Sequence, residues 1–360
     1  MTEVETSRTK AWLMAARPQT LPAAAAPVIV GTGLAVAEGV FAPIPALMAF
    51  IGAALIQVGT NFANDYYDAV KGADTDDREG FTRVTQSGLI APEQVKLATM
   101  ITFALAILSG TYLVYIGGVP ILLIGLVSVF CGWAYTGGPY PLGYHGLGDL
   151  FVFVFFGIVA VMGTFYVQAA AVVPTETLIT TIPEGTVTLE AFVASLSIAG
   201  LSTCIIIVNN IRDRETDIEA GKRTLAVRLG YRWSRLEYVA LLTLAYLVPF
   251  WFWLEGYGVA TLLPLVSLPY AAVITRTVLT RTDGEALNPA LEALANCSRC
   301  TPCCSRSGWS CELRPRPRRG PRCGRHTRVR LPAVFARTRG ATRDGCRPNR
   351  RSRGVSRPSR

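Results

Sequence analysis

Lysine and arginine are absent from residues 97–211, a run of 115 positions that holds four acids, Asp149, Glu176, Glu184 and Glu190. A water-facing surface of that length needs more charge, so an ordinary soluble domain is excluded. Cysteine is nearly absent from residues 1–295, where only Cys131 and Cys204 occur, both inside apolar stretches. That excludes a disulfide-stapled fold and leaves the two thiols as small packing residues. With 51% of residues hydrophobic, the chain is also too apolar to be disordered.

The composition breaks near residue 295. Residues 1–295 carry 16 Lys+Arg against 23 Asp+Glu, whereas residues 296–360 carry 19 Arg, two acids, seven Pro and seven of the nine Cys, with no Lys and no Ile. Three readings compete for this tail: a basic nucleic-acid-binding arm, a metal site built on Cys297, Cys300, Cys303 and Cys304, and a shifted reading frame in a GC-rich gene. Arginine without any lysine favours the third. The expectation is an unstructured, frameshifted segment at 295–360 and no nucleic-acid partner. Reading the gene across codon 295 in the other two frames should uncover a hydrophobic ninth span; two frames without one would sink this reading.

What is there in residues 1–295 is a series of apolar runs long enough to cross a bilayer, which takes about 20 residues each. Eight are readable, at about 20–38, 43–63, 97–116, 119–135, 150–173, 190–209, 236–254 and 258–275. Lipid satisfies no backbone groups, so these are helices rather than open strands. The third and fourth are separated only by Gly117–Val119, which predicts a tight helical hairpin. The fold class is all-α, a polytopic transmembrane helical bundle spanning 20–294 after a cytoplasmic segment at 1–19. That segment is polar and carries Glu3 and Glu5, with no cleavage pattern after a short apolar core, so no cleavable signal is expected. With the N-terminus inside, all 16 basic residues fall on the cytoplasmic side, in the loops after spans two, six and eight and before span one. The expected location is therefore the cell membrane.

Two acidic loops then lie on one side. The first runs Asn61-Phe62-Ala63-Asn64-Asp65-Tyr66-Tyr67-Asp68 through Lys71, Asp74 and Asp77 to Arg78. The second runs Asn209-Asn210-Ile211-Arg212-Asp213-Arg214-Glu215-Thr216-Asp217 through Lys222 and Arg223. Asn64 and Asp68, and likewise Asn209, Asp213 and Asp217, follow at intervals of four and share a helical face. A row of acids at the rim of a membrane repels itself unless a cation neutralises it. Mg²⁺ suits oxygen ligands shared between carboxylates and phosphates, and Arg78, Arg83, Lys222 and Arg223 suit the remaining phosphate charge. Two such rows facing each other could grip a diphosphate between metal ions. A diphosphate head with a lipid-soluble tail describes a polyprenyl diphosphate. The recurrence of the motif in both halves suggests a duplicated four-span unit.

Four blocks of the sequence resemble the UbiA superfamily of intramembrane prenyltransferases, and within it the 1,4-dihydroxy-2-naphthoate polyprenyltransferases. They are Arg17-Pro18-Gln19-Thr20-Leu21-Pro22 with Pro27; Gly59–Asp77 with Arg83-Val84-Thr85-Gln86-Ser87-Gly88; Ala134-Tyr135-Thr136-Gly137-Gly138-Pro139-Tyr140-Pro141-Leu142-Gly143-Tyr144 through Gly148-Asp149; and Asn209–Leu229. The interval from Asp68 to Asp74 is that of the naphthoate branch. The resemblance implies nine helices around a central cavity, where this chain has the tail in place of the ninth. It also implies transfer of a polyprenyl group to 1,4-dihydroxy-2-naphthoate with loss of CO₂, giving demethylmenaquinone. Asn64, Asp68, Asp213 and Asp217 would be the catalytic metal holders, with Asp74 and Asn209 assisting and Mg²⁺ as the cofactor. Arg83, Lys222, Arg223 and Arg78 would bind the diphosphate, while Arg17, Tyr135 and Tyr140 would shape the pocket. Another acceptor, such as hydroxybenzoate, homogentisate or an archaeal glycerol lipid, remains open. So does a cation transporter, although acids at helix ends beside phosphate-suited bases disfavour a conduction path.

Overall fold

The computed structural model describes residues 7–70, 84–135, 141–173, 180–291 and 294. Helix α1 (Arg8–Ala16) is capped by Ser7, whose hydroxyl accepts from the Lys10 amide. It ends at Arg17 in the left-handed region (φ 50°), and the 3₁₀ turn Pro18–Thr20 leads into α2 (Leu21–Ala37). Then come α3 (Pro43–Val70), α4 (Pro92–Ala134), α5 (Gly148–Val172), α6 (Leu189–Arg212), the short α7 (Arg214–Glu219), α8 (Leu225–Leu254) and α9 (Val259–Thr280). Residues 284–291 are again helical. No strand occurs among the described residues.

Among the described residues, seven helices are long and apolar enough to cross a membrane. The eight expected spans fit into seven because α4 is two of them. At 43 residues an unbroken α4 would be about 65 Å long, twice the hydrocarbon core. Gly118 breaks it, with φ 66° and ψ −154°, a conformation that only glycine adopts without strain. The arms fold back together: a Cβ on Gly132 would stand 3.6 Å from the Phe103 ring. The Tyr166 hydroxyl on α5 donates to the Gly117 carbonyl at 2.8 Å and pins the bend.

Helix packing rests on close approach at small residues, the device available where lipid removes the hydrophobic drive between helices. A Cβ on Gly31 would meet the Val161 carbonyl oxygen at 2.6 Å, and one on Gly200 would meet the Leu241 carbonyl oxygen at 2.5 Å. A Cβ on Gly157 would lie 2.4 Å from the Ala199 Cα. Gly157 lies in a π-helical stretch of α5, Val152–Val159. One core cluster joins α2, α5, α6 and α8 around Leu34, Phe165 and Ile198. Another joins α6, α8 and α9 and takes in Leu287, Ala290 and Leu294. The outer faces stay apolar, with Leu108, Tyr115, Val266 and Val273 more than 60% exposed. A water-soluble molecule does not present that surface; a multi-pass membrane protein does.

Candidate active site

Helix α3 continues seven residues past the end of its predicted span. It does so because its last turns are polar toward protein rather than toward lipid. Asn61, Asp65 and Asp68 are all buried there. The Asn61 amide donates to the Ala16 carbonyl and to Thr20 Oγ1, both at 2.9 Å, and Gln57 Nε2 reaches the same hydroxyl at 3.1 Å. These bonds clamp the strained Arg17 turn to α3. Asp65 Oδ2 accepts from the Thr85 amide at 3.1 Å and from its hydroxyl at 2.6 Å, which fixes the chain beyond the first acidic loop. Asn64 and Asp68 lie one turn apart on this helix, as their spacing predicts.

The second row also keeps its helical geometry, across the junction of α6 and α7. The Asp213 amide bonds to the Asn209 carbonyl at 2.9 Å and the Asp217 amide to the Asp213 carbonyl at 2.8 Å. The side chains differ in their partners. Asp213 is gripped by Arg212 through two bonds of 2.6 and 2.7 Å, and Arg212 reaches Asn288 at 2.8 Å. The Asn209 amide turns back to the Ile205 carbonyl. Asp217 is buried, with Lys222 Nζ at 3.9 Å and the Thr224 hydroxyl at 3.5 Å.

The segment between α4 and α5 joins the rows. The Tyr144 hydroxyl donates to Asp68 Oδ1. Its carbonyl accepts from the Arg223 amide at 2.8 Å, and Lys222 Nζ lies 4.9 Å from its ring centroid. Tyr135, one residue past the end of α4, is tied to this turn, its carbonyl accepting from the Gly143 amide at 2.9 Å. Asp149 is buried and held by Asn210 Nδ2 at 3.1 Å.

Tyr135 also lines an apolar cavity of ≈ 410 Å³ that runs between α2, α3, both arms of α4, and α5, past Pro27, Gly52, Gly125 and Phe155. The place where the acidic rows converge is therefore continuous with a groove suited to an aliphatic chain. Of the residues singled out in the sequence, Asp68, Asp217, Lys222, Arg223 and Tyr135 converge here. Asn64 and Asn209 lie on the converging helices, Asp213 is paired locally with Arg212, and Arg17 sits in the clamped turn. Asp74, Arg78, Arg83 and Tyr140 lie outside the described residues. Tyr144, Asp149 and Asn210 carry contacts that spacing did not assign, although each stands within a block already noted.

All the candidate metal-holding side chains offer oxygen, as a hard divalent cation requires. Among the described residues no three His, Cys, Asp or Glu are gathered into a cage.

The profile of the UbiA prenyltransferase family matches residues 24–296. A 1,4-dihydroxy-2-naphthoate octaprenyltransferase of Escherichia coli (strain K12) is similar to this chain, 40% identical over 309 residues, covering 81% of it and 92% of that protein. A protein of the same description from Mycobacterium tuberculosis (strain ATCC 25618 / H37Rv) is 39% identical over 262 residues, covering 73% and 80%. The solved structure of a UbiA homolog from Archaeoglobus fulgidus bound to DMAPP and Mg²⁺ shares the fold, with TM-score 0.56 and 17% identity, over 84% of this chain and 99% of that one.

Proposed function

The chain belongs to the UbiA prenyltransferase family, and on that premise we propose that it transfers a polyprenyl group from polyprenyl diphosphate to 1,4-dihydroxy-2-naphthoate. The acceptor loses CO₂ as it gains the prenyl chain, diphosphate departs, and the product is the prenylated naphthalenediol, the two-electron-reduced form of a demethylmenaquinone. The observation that carries the reading is that one turn, Leu142–His145, bonds to Asp68 of the first row, to Arg223 of the second and to Tyr135, which walls an apolar cavity. Head and tail of a prenyl diphosphate need such a junction. The similar proteins named for a naphthoate acceptor support the choice of aromatic partner.

Asp68 and Asp217, with Asn64, Asp213, Asn209 and Asp74, would hold Mg²⁺. When bound there, Mg²⁺ would neutralise the diphosphate and make it a better leaving group. Lys222 and Arg223, joined by Arg78 and Arg83, bind phosphate oxygens and balance the charge that builds as the allylic C–O bond breaks. Tyr135 shapes the end of the cavity where the allylic carbon lies. The cavity wall keeps water from the electron-poor carbon, so the ring of the acceptor captures it. Arg17 and Tyr140 would help Tyr135 to shape the pocket near the reacting carbons. The site opens on the cytoplasmic side of the cell membrane, where the positive loops lie.

Membranes carrying the full chain test the proposal, given a labelled prenyl diphosphate and 1,4-dihydroxy-2-naphthoate. Transfer is expected with Mg²⁺, to be lost on chelation and restored by adding the metal back. Hydroxybenzoate in the acceptor's place is expected to give at most a trace of product. Transfer that survives complete chelation would overturn the metal assignment, and preference for hydroxybenzoate would overturn the acceptor.

A further inference from the structure

Tyr144 touches both halves of the candidate site with three different parts of one residue. Its hydroxyl donates to Asp68, 76 positions earlier in the chain. Its carbonyl receives the Arg223 amide, and its ring lies under Lys222, the cation beside Asp217. The turn that carries it, Leu142–His145, is itself anchored. The Gly143 amide bonds to the Tyr135 carbonyl at 2.9 Å, the Tyr144 amide bonds to the Pro141 carbonyl at 3.0 Å, and His145 Nδ1 lies 2.9 Å from that same oxygen. Gly146, at φ 75°, brings the chain so near the Arg223 carbonyl that a Cβ would stand 3.0 Å from it. A residue held this firmly cannot follow one acidic loop without drawing on the other.

We propose that Tyr144 is a positioning residue that ties the two acidic loops into one binding unit for a metal–diphosphate. The inference rests on the function proposed above and adds a residue to it. The hydroxyl holds Asp68 Oδ1 and so helps to set the rotamer of that carboxylate. The ring places the Lys222 ammonium near Asp217 through contacts that are long and non-covalent, 4.9 Å to the ring centroid and 3.9 Å to the carboxylate. Turning Lys222 to a phosphate oxygen therefore breaks no short ion pair to Asp217. The backbone bond to Arg223 holds the second loop at the same height. The two rows then meet a diphosphate at a spacing already set, which lowers the ordering cost of binding.

Tyr144→Phe removes the hydroxyl and keeps the ring and the backbone bonds, so it is expected to fold, with a melting temperature only a few degrees below that of the parent. In the purified full chain, binding of inorganic pyrophosphate with MgCl₂, read by calorimetry, is expected to weaken about tenfold, as for a lost hydrogen bond to a charged group. KM for the prenyl diphosphate should rise in parallel, while KM for the acceptor stays unchanged. Tyr144→Leu removes the ring as well and is expected to weaken binding further. In an Asp68→Ala background, Tyr144→Phe should add no further loss, because the partner is gone. Parental pyrophosphate binding in Tyr144→Phe, an equal rise in acceptor KM, or full additivity with Asp68→Ala would each overturn the inference. If Asp68→Ala alone binds Mg²⁺–pyrophosphate normally, the site proposed above falls too. If Asp68→Ala weakens binding and Tyr144→Phe does not, only the role of Tyr144 falls.

Discussion

Asp68→Ala is expected to lower prenyl transfer by about a thousandfold or more, equivalent to about 4 kcal/mol of lost transition-state stabilisation. The carboxylate is buried at the end of α3 and takes the Tyr144 hydroxyl. Its loss removes an oxygen proposed to hold the metal and the anchor of the loop between α4 and α5 together. Asp68→Asn separates these two effects, because the amide oxygen still accepts from Tyr144 while the negative charge is gone. It should melt like the parent and still fail to transfer. Asp217→Ala is expected to match Asp68→Ala in activity. Asp213→Ala should lose activity and some stability, since Asp213 anchors Arg212, which links α6 to Asn288. Single-turnover transfer and melting in detergent, measured on the same preparations, check all four. Near-parental transfer by Asp68→Asn would refute the charge requirement.

Gly157→Leu is expected to yield no folded protein, whereas Gly157→Ala should yield a folded but weakened one. At Gly157 helices α5 and α6 approach so closely that an added Cβ would stand 2.2 Å from the Ala199 Cβ, 2.4 Å from its Cα and 2.8 Å from its amide nitrogen. Two of those three atoms are backbone, so no rotamer change relieves the clash. Overpacking of this kind costs about 1–3 kcal/mol where neighbours can shift, and more where they cannot. The same helices carry Asp149 and Asn210, so a splayed crossing also parts that hydrogen bond. Size-exclusion profiles and thermal melts of the two variants, with Asp68→Asn as the folded control, read the effect. A monodisperse Gly157→Leu with parental stability would show that this crossing does not hold the bundle.

The contrast between these two predictions marks what the sequence made legible. Asp68 announces itself by spacing, because an Asn four residues before an Asp is a local pattern, and local patterns report local geometry. The bundle is legible for the same reason: the absence of basic residues between Lys96 and Arg212 and the short Gly117–Val119 break give the spans and the hairpin. Gly157 is one glycine among 33 until its neighbour Ala199 is known. The Tyr144–Asp68 and Asn210–Asp149 bonds join residues 76 and 61 positions apart, a separation at which no period operates. Hydropathy also ended α3 too early. Residues 64–70 are helical, but their polar side chains face protein, and a scale calibrated on lipid reads them as loop. Asp213 lies where the row placed it, and its grip by the adjacent Arg212 could not be read from a pattern that counts acids alone.

The π-helical stretch of α5 gives that helix two phases. Its upstream end is set by Asn210 holding Asp149, and its downstream end by the seat of Thr164 on Gly31 and by the Tyr166 bond to Gly117. A regular α-helix would lock these ends to a single screw, in which each inserted residue turns the far end by about 100°. The wider winding of Val152–Val159 takes up such a residue locally. The end of α5 that carries Asp149 is therefore offset in phase from the end that packs on Gly31.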